Sequence, residues 1–202
     1  MSDPRRHWPL AEHPELRDRL LEAYGDPRRG YHDTRHLTEV LDRVAELLGA
    51  GSAGVDADTV LLAAWFHDAV YDGAEDDEER SARLARRELA GAGLPAALSD
   101  EVARLVRVTA RHRPAADDPG GQLLCDADLA ILAAPPERYR EYVDGVRREY
   151  AGVPDAAFRA GRAAVLRDLL DKPTLFHTAH GRTHWEQSAR ANVRGELEQL
   201  EG

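Results

Sequence analysis

The sequence is poor in the features that build secreted or membrane-spanning proteins. It has one cysteine, Cys125, which excludes an intramolecular disulfide and is typical of a reducing compartment. The stretch MSDPRRHWPLAEHPELRD has no apolar core of an export signal. No apolar run reaches the roughly 18 residues that a bilayer crossing needs. We therefore expect a cytoplasmic protein that does not partner with a membrane.

An excess of positive charge is also missing. The chain carries 27 Lys and Arg against 37 Asp and Glu, a formal net charge of -10. This balance argues against a surface that grips a nucleic-acid polymer. A local group of arginines can still bind a small phosphorylated substrate in an acidic protein. The sequence does not indicate an oligomeric state.

Alternation of apolar and polar residues, the mark of half-buried strands, is missing as well. Apolar residues recur instead at helical spacing along most of the chain, and no linker or internal repeat interrupts them. We therefore expect an all-α fold, a single compact multi-helix domain over residues 1–202. An apolar segment, LLCDADLAILAA, forms the sixth predicted helix. The other predicted helices begin at Pro14, Thr34, Asp58 or Thr59, about Glu78, Ser99, Pro136, Pro154 and Thr183.

Polar side chains interrupt the apolar faces of three predicted helices. His36 lies on the apolar face of the second helix, and His67 with Asp68 ends the third in AAWFHDAVYD. Asp126 and Asp128 interrupt the sixth. An imidazole or carboxylate that leaves water needs a partner. Mixed nitrogen and oxygen ligands suit a divalent ion of intermediate hardness, such as manganese, iron, cobalt, nickel or zinc.

This order of residues resembles the HD-domain superfamily of metal-dependent phosphohydrolases, whose signature is an early His, a His-Asp pair and a distant Asp. The likeness extends over nearly the whole chain to a subfamily of small predicted HD phosphohydrolases. It implies an HD-domain-like helical fold, a bound divalent metal ion and hydrolysis of a phosphate ester in a small substrate, possibly a nucleotide. The similar stretches are YGDPRRGYHDTRHL, FHDAVYD, EERSARLA, DADLAIL, YREYVDGVRREY, FRAGRAAVLRDLL and EQSARANV.

The resemblance also implies a ligand set. The metal ligands would be His36, His67, Asp68 and Asp128. Asp128 is preferred because ADLAIL looks like the context of the family's distal ligand, whereas Asp126 is open between direct ligation and support of the ligands. The ion itself stays open among manganese, iron, cobalt, nickel, zinc and magnesium.

Further residues are candidates for acid–base chemistry and substrate binding. Related alarmone hydrolases and nucleotidases carry a Glu where this chain has Tyr71, so the neighbouring Asp72 becomes the acid–base candidate, one turn beyond His67 and Asp68 if the helix continues. His112, the only histidine between the His-Asp pair and Asp128, is expected to steady the phosphate at the catalytic centre. The residues expected to bind substrate are Arg29, His32 and Arg111.

Two other functions fit the same pattern. Some HD-fold proteins hold two irons and activate dioxygen, which makes an oxygenase the first alternative. A module that binds nucleotides without catalysis is the second. One ion is favoured over two, because dinuclear members need more histidines between the His-Asp pair and the last Asp than the single one present here.

A separate group of histidines offers a rival metal site. His177, His180 and His184 are spaced three and four residues apart in FHTAHGRTHW, which on a helix would bring them to one side. Gly181 and Thr183 indicate that the segment crosses a loop instead. We therefore favour the cluster around His36 and His67.

Overall fold

A computed structural model describes residues 2–51 and 54–202. In this part of the chain all regular structure is helical, which confirms the all-α prediction. None of the described helices has both the length and the apolar character that a bilayer crossing requires. The α-helices are α1 (Pro14–Tyr24), α2 (Thr34–Gly49), α3 (Ala57–Phe66), α4 (Asp77–Gly91), α5 (Ala96–Thr109), α6 (Pro119–Leu129), α7 (Pro136–Glu149), α8 (Asp155–Asp171), α9 (Ala179–His184) and α10 (Glu186–Glu201), and short 3₁₀ helices cover Pro4–His7 and Ala130–Ala133.

Helix α2 begins at Thr34 as predicted and α3 begins one residue earlier than predicted, and an aspartate caps each of them. The Asp33 carboxylate accepts hydrogen bonds from the backbone N–H groups of residues 35 and 36, so Thr34 is the first helical residue and not the cap. Asp56 accepts from the backbone N–H of residue 58, and α3 therefore begins at Ala57. The cap on α2 orients the helix turn that carries His36.

Two further predicted starts are wrong. Helix α5 begins at Ala96 after Pro95, so Ser99 lies inside the helix, where its hydroxyl donates to the Pro95 carbonyl. Thr183 lies within the short helix α9, and the last long helix begins at Glu186. Serine and threonine bond readily to nearby backbone carbonyls as well as to free N–H groups, so their presence alone did not identify the cap.

Helix α3 forms the centre of the core. Its last five residues, Leu62 to Phe66, are completely buried, because α2, α4, α5 and α6 all pack around it. A helix that is apolar on all sides is stable only when other elements surround it. The residues that follow Phe66 therefore begin deep inside the protein, and two of them are His67 and Asp68.

Helix α7 packs directly against the loop that precedes α2, backbone against backbone. A Cβ atom built on Gly30 would lie 2.3 Å from the Gly145 carbonyl oxygen, and one on Gly145 would lie 2.7 Å from the Gly30 carbonyl oxygen. Neither position has space for a side chain. This close contact seats the loop that leads into His36.

We predict that Gly145→Ala destabilises the protein by about 2 kcal/mol, because the added methyl group forces two backbone segments apart. The matched control is Gly195→Ala in α10, where no atom lies within 4 Å of the added Cβ. The control should gain up to about 1 kcal/mol from improved helix propensity. Urea unfolding of both variants measures the difference. Equal stabilities would contradict the close packing of α7.

Candidate metal centre

Three of the predicted ligands meet in one buried cluster. His36 comes from α2, His67 directly follows α3, and Asp128 lies in α6. The Nε2 atoms of the two imidazoles are 3.1 Å apart, and Asp128 Oδ1 lies 3.4 Å from His36 Nε2 and 3.6 Å from His67 Nε2. All three ligand atoms lie within 4.8 Å of one another, so this cluster can hold a metal ion.

Asp68 adds a further oxygen to the cluster. Its Oδ2 atom lies 3.0 Å from His67 Nε2 and 3.2 Å from His36 Nε2. Ligands that bind one ion at about 2.1 Å and sit side by side are roughly 3 Å apart, which matches these separations. The group whose ligand atoms all lie within 4.8 Å of one another consists of His36, His67 and Asp128. Asp68 is not part of that group, although its carboxylate contacts both imidazoles.

The orientation of His67 suits a metal ligand. Its Nδ1 atom lies 2.7 Å from the Ala64 carbonyl oxygen, so Nδ1 carries the ring proton and donates it to that oxygen. This arrangement directs the Nε2 atom at the cluster. A ligating histidine commonly fixes its ring in this way through a backbone carbonyl. The donor set of two imidazoles and carboxylates therefore fits a divalent ion.

The charges of the cluster are tightly linked. Burial lowers the pKa of His36, but hydrogen bonds to Asp128 and Asp68 outweigh burial and raise that pKa to about 10. Burial likewise raises the pKa of Asp128, yet the positive charge of His67 and a hydrogen bond from His112 hold it well below its usual range. Both carboxylates are ionised at neutral pH, and they require compensating positive charge from protonated imidazoles or from a cation.

The turn after α3 is held by contacts from several elements. The Asp68 N–H donates to the Tyr24 hydroxyl at 3.1 Å. The Arg29 guanidinium donates to the carbonyl oxygens of Asp68, Ala69 and His32. Arg29, expected to bind substrate phosphate, is thus engaged in joining two loops behind the cluster, and this use of its N–H groups does not support the expected role.

Asp72 does not take the position expected for it. The expectation required α3 to continue past the His-Asp pair, but the helix ends at Phe66. The Asp72 carboxylate binds Arg80 at 2.7 Å, and its side chain is 55% exposed. The Asp77 carboxylate holds this loop by accepting hydrogen bonds from three successive backbone N–H groups, at residues 72 to 74. The structure does not bring Asp72 to the metal ligands.

Glu78, near the start of α4, is an acidic residue whose pKa responds to the charges of Asp68 and His112. Burial raises the pKa of its carboxyl group, the negative charges of Asp68 and Asp77 raise it further, and His112 opposes the shift. Glu79 faces away and pairs with Arg83 and Arg107. A carboxyl group whose pKa is raised by burial and neighbouring charge is a candidate for proton transfer.

The structure brings His112 to the cluster, as expected from the sequence. Its Nε2 lies 2.8 Å from Asp128 Oδ2. Its backbone φ of 47° is in the left-handed region, the one non-glycine residue of the described chain in that region. Such a conformation is sparsely populated and is often found at functional sites. The catalytic role of His112 stays a prediction.

His32 also lies near the cluster, fixed by a residue that the sequence did not indicate. Its Nδ1 binds Glu149 Oε2 at 2.8 Å, and its ring stacks on Tyr71 at 4.0 Å between centroids. Glu149 Oε1 accepts the backbone N–H groups of residues 30, 31 and 32. Glu149 ends α7 within the stretch YREYVDGVRREY, whose family likeness was the one signal that could have marked it.

Arg111 stands outside the cluster. It is exposed and lines a cavity of about 430 Å³ together with His112, Arg113 and Lys172. Its expected contact with substrate stays a prediction, since the Arg111 side chain has no hydrogen-bond or ion-pair partner among the described residues.

Asp126 points away from the cluster and serves the fold. It is completely buried, and its two oxygens accept the backbone N–H groups of His177 and Thr178, each at 2.7 Å. Neighbouring Gly181 has no space for a Cβ atom, which would lie 2.8 Å from Asp126 Oδ2. The preference for Asp128 as the ligand therefore agrees with the geometry.

The rival histidines do not form a metal site in the structure. His180 Nε2 binds Glu46 at 2.9 Å, while His184 Nδ1 binds the His180 carbonyl oxygen. Over residues 2–51 and 54–202, His36, His67 and Asp128 form the one group of three or more possible ligands whose atoms are mutually close.

Compared with known proteins, the chain matches no family model, no curated protein and no solved structure.

We predict opposite effects for the two aspartates of α6. Asp128→Ala should abolish metal retention, because a carboxylate of the cluster is lost. Asp126→Ala should keep the cluster but destabilise the protein by about 3 kcal/mol, because two buried N–H groups lose their partner. Metal analysis of the purified variants together with urea unfolding separates the effects. A stable Asp126→Ala variant that has lost its metal would reverse the assignment.

Proposed function

We propose that this protein is a metal-dependent phosphohydrolase that cleaves a phosphate ester of a small substrate, with nucleotides among the candidates. His36, His67, Asp68 and Asp128 would bind one divalent ion. The observation that carries the proposal is the meeting of these nitrogen and oxygen atoms, from three separate elements, at separations of 3.0 to 3.6 Å. The resemblance to the HD-domain superfamily supports the same reading of the ligands.

A divalent ion held by these residues would supply Lewis acidity, which lowers the pKa of water and polarises a phosphoryl oxygen. The protein's own residues set the geometry. His112 binds the second oxygen of Asp128, Oδ2, and so fixes the orientation of that carboxylate. The Nδ1–H of His67, fixed on the Ala64 carbonyl oxygen, orients the ring so that Nε2 would be the nitrogen that holds the ion. Both contacts arrange the ligands in advance of substrate binding.

Glu78 replaces Asp72 as our candidate acid–base residue. Burial of its carboxyl group and the negative charges of Asp68 and Asp77 raise its pKa, and the charge of His112 opposes this rise. A proton held at this carboxyl group can pass to the leaving oxygen of the substrate. The exposed carboxylate of Asp72 is already neutralised by Arg80 and has no comparable environment.

Phosphate release from a panel of phosphomonoesters and nucleotides, with each candidate divalent ion added separately, tests the proposal. We expect release with at least one ion and its loss in His36→Gln. The matched control is His180→Gln, which removes a surface-side histidine bound to Glu46 and should leave release intact. Two irons per chain with a mixed-valent signal would indicate an oxygenase instead. Nucleotide binding without release from any substrate would indicate a binding module.

The acid–base assignment makes a separate prediction. Glu78→Gln should retain metal and lose turnover by about 10²–10⁴-fold, the usual contribution of a positioned acid or base. Asp72→Asn is the matched control, because the residue lies only six positions earlier and also loses one carboxylate. Its turnover should stay near that of the wild type. The reverse result, with Asp72→Asn inactive, would restore Asp72 and remove Glu78 from the mechanism.

A further inference from the structure

A large cavity begins at the candidate metal centre. Its volume is about 550 Å³, and Asp128 and His112 form part of its wall. Small-molecule sites in proteins typically measure roughly 300–1,000 Å³. The space is therefore far larger than a phosphate group needs, and it can hold the organic part of a substrate whose phosphate lies at the cluster.

The wall beyond the cluster is mostly apolar and comes largely from α7, α8 and the segment between them. The only two large hydrophobic side chains that the described residues expose, Tyr150 and Val165, both lie on this cavity. Exposed apolar side chains gathered at one place commonly mark a binding site. The remaining apolar wall includes Leu132, Val146, Phe158 and Leu169.

Two residues that line this cavity carry a hydrogen-bond donor for which residues 2–51 and 54–202 supply no acceptor. The Tyr31 hydroxyl is buried and makes no hydrogen bond to any described residue. Arg162 uses its Nε and Nη2 atoms to bind Glu196 and Tyr142, while no described residue accepts from Nη1. Because Arg162 lines the cavity, an acceptor atom on a ligand there can bind its Nη1 donor.

Successive contacts connect the His36 ring through Tyr31 and Tyr142 to Arg162. The Tyr31 ring lies 4.7 Å from the His36 ring and 4.6 Å from the Tyr142 ring. The Tyr142 hydroxyl in turn accepts from Arg162 Nη2 at 2.8 Å. A molecule with its phosphate at Asp128 and His112 can therefore lie along the apolar wall and reach Arg162 with its far end.

We infer that the substrate is a phosphate ester of a largely apolar, ring-bearing alcohol that carries a hydrogen-bond acceptor for Arg162. This inference rests on the proposed function and adds the class of substrate. A sugar phosphate fits the cavity poorly, because its hydroxyl groups would leave water for an apolar wall that offers few partners. An aromatic ring, in contrast, can pack against Tyr71, Tyr142 and Phe158.

Binding of non-hydrolysable probes tests the inference without relying on turnover. Calorimetric titration of the manganese-loaded protein would compare naphthylmethylphosphonate, methylphosphonate and naphthylmethanol. We expect the naphthyl phosphonate to bind at least about tenfold more tightly than either probe that lacks the ring or the phosphonate. Equal binding of the two phosphonates would overturn the inference and leave the proposed function intact. Equal binding of the naphthyl phosphonate and naphthylmethanol would count against a phosphate site at the cluster.

A cavity-filling variant provides the control for location. Gly161 lies on the cavity wall in α8, and no atom lies within 4 Å of an added Cβ. Gly161→Leu should weaken naphthylmethylphosphonate binding by about tenfold and leave methylphosphonate binding unchanged. Gly195→Leu in α10 has equally open space outside this cavity and should bind both probes as the wild type does. Unchanged naphthyl binding in Gly161→Leu would place the ring elsewhere and contradict the inference.

Discussion

Two imidazole nitrogens approach each other to 3.1 Å, and two carboxylates lie beside both of them. The rest of the site depends on this constraint. Such a group is costly to bury unless its charges and lone pairs are satisfied together. The fold meets that requirement by making α3 the centre of the core and ending it at Phe66, so that the His-Asp pair begins inside the protein. Helices α2 and α6 then bring His36 and Asp128 to it.

The residues that could be predicted from the sequence are those that break an otherwise apolar helical face. His36 and Asp128 each stand on a helix whose neighbouring residues are buried, and His67 directly follows a buried run, so each position was conspicuous. The choice of Asp128 over Asp126 agrees with the structure, since Asp126 binds the backbone at 177 and 178. The helical class followed from the spacing of apolar residues along most of the chain.

The rest depended on where helices end and on contacts between distant segments. The Asp72 expectation depended on helix α3 continuing, and spacing alone does not reveal that Asp77 and Arg80 fix the loop beyond it. Arg29 was expected to bind phosphate. Its carbonyl partners lie up to 40 residues away, so the sequence alone did not reveal them. Glu149 was missed for a related reason, since its partners lie 117 to 119 residues earlier in the chain.

The central claim is that one ion binds between two histidines and two aspartates. Anomalous diffraction at the manganese edge, from crystals of the full chain soaked in Mn²⁺, tests it most directly. The account predicts one strong peak per chain, within about 2.0–2.3 Å of His36 Nε2, His67 Nε2 and a carboxylate oxygen of both Asp68 and Asp128. A peak beside His180 and His184 with none at the cluster, or two peaks at the cluster, would contradict it.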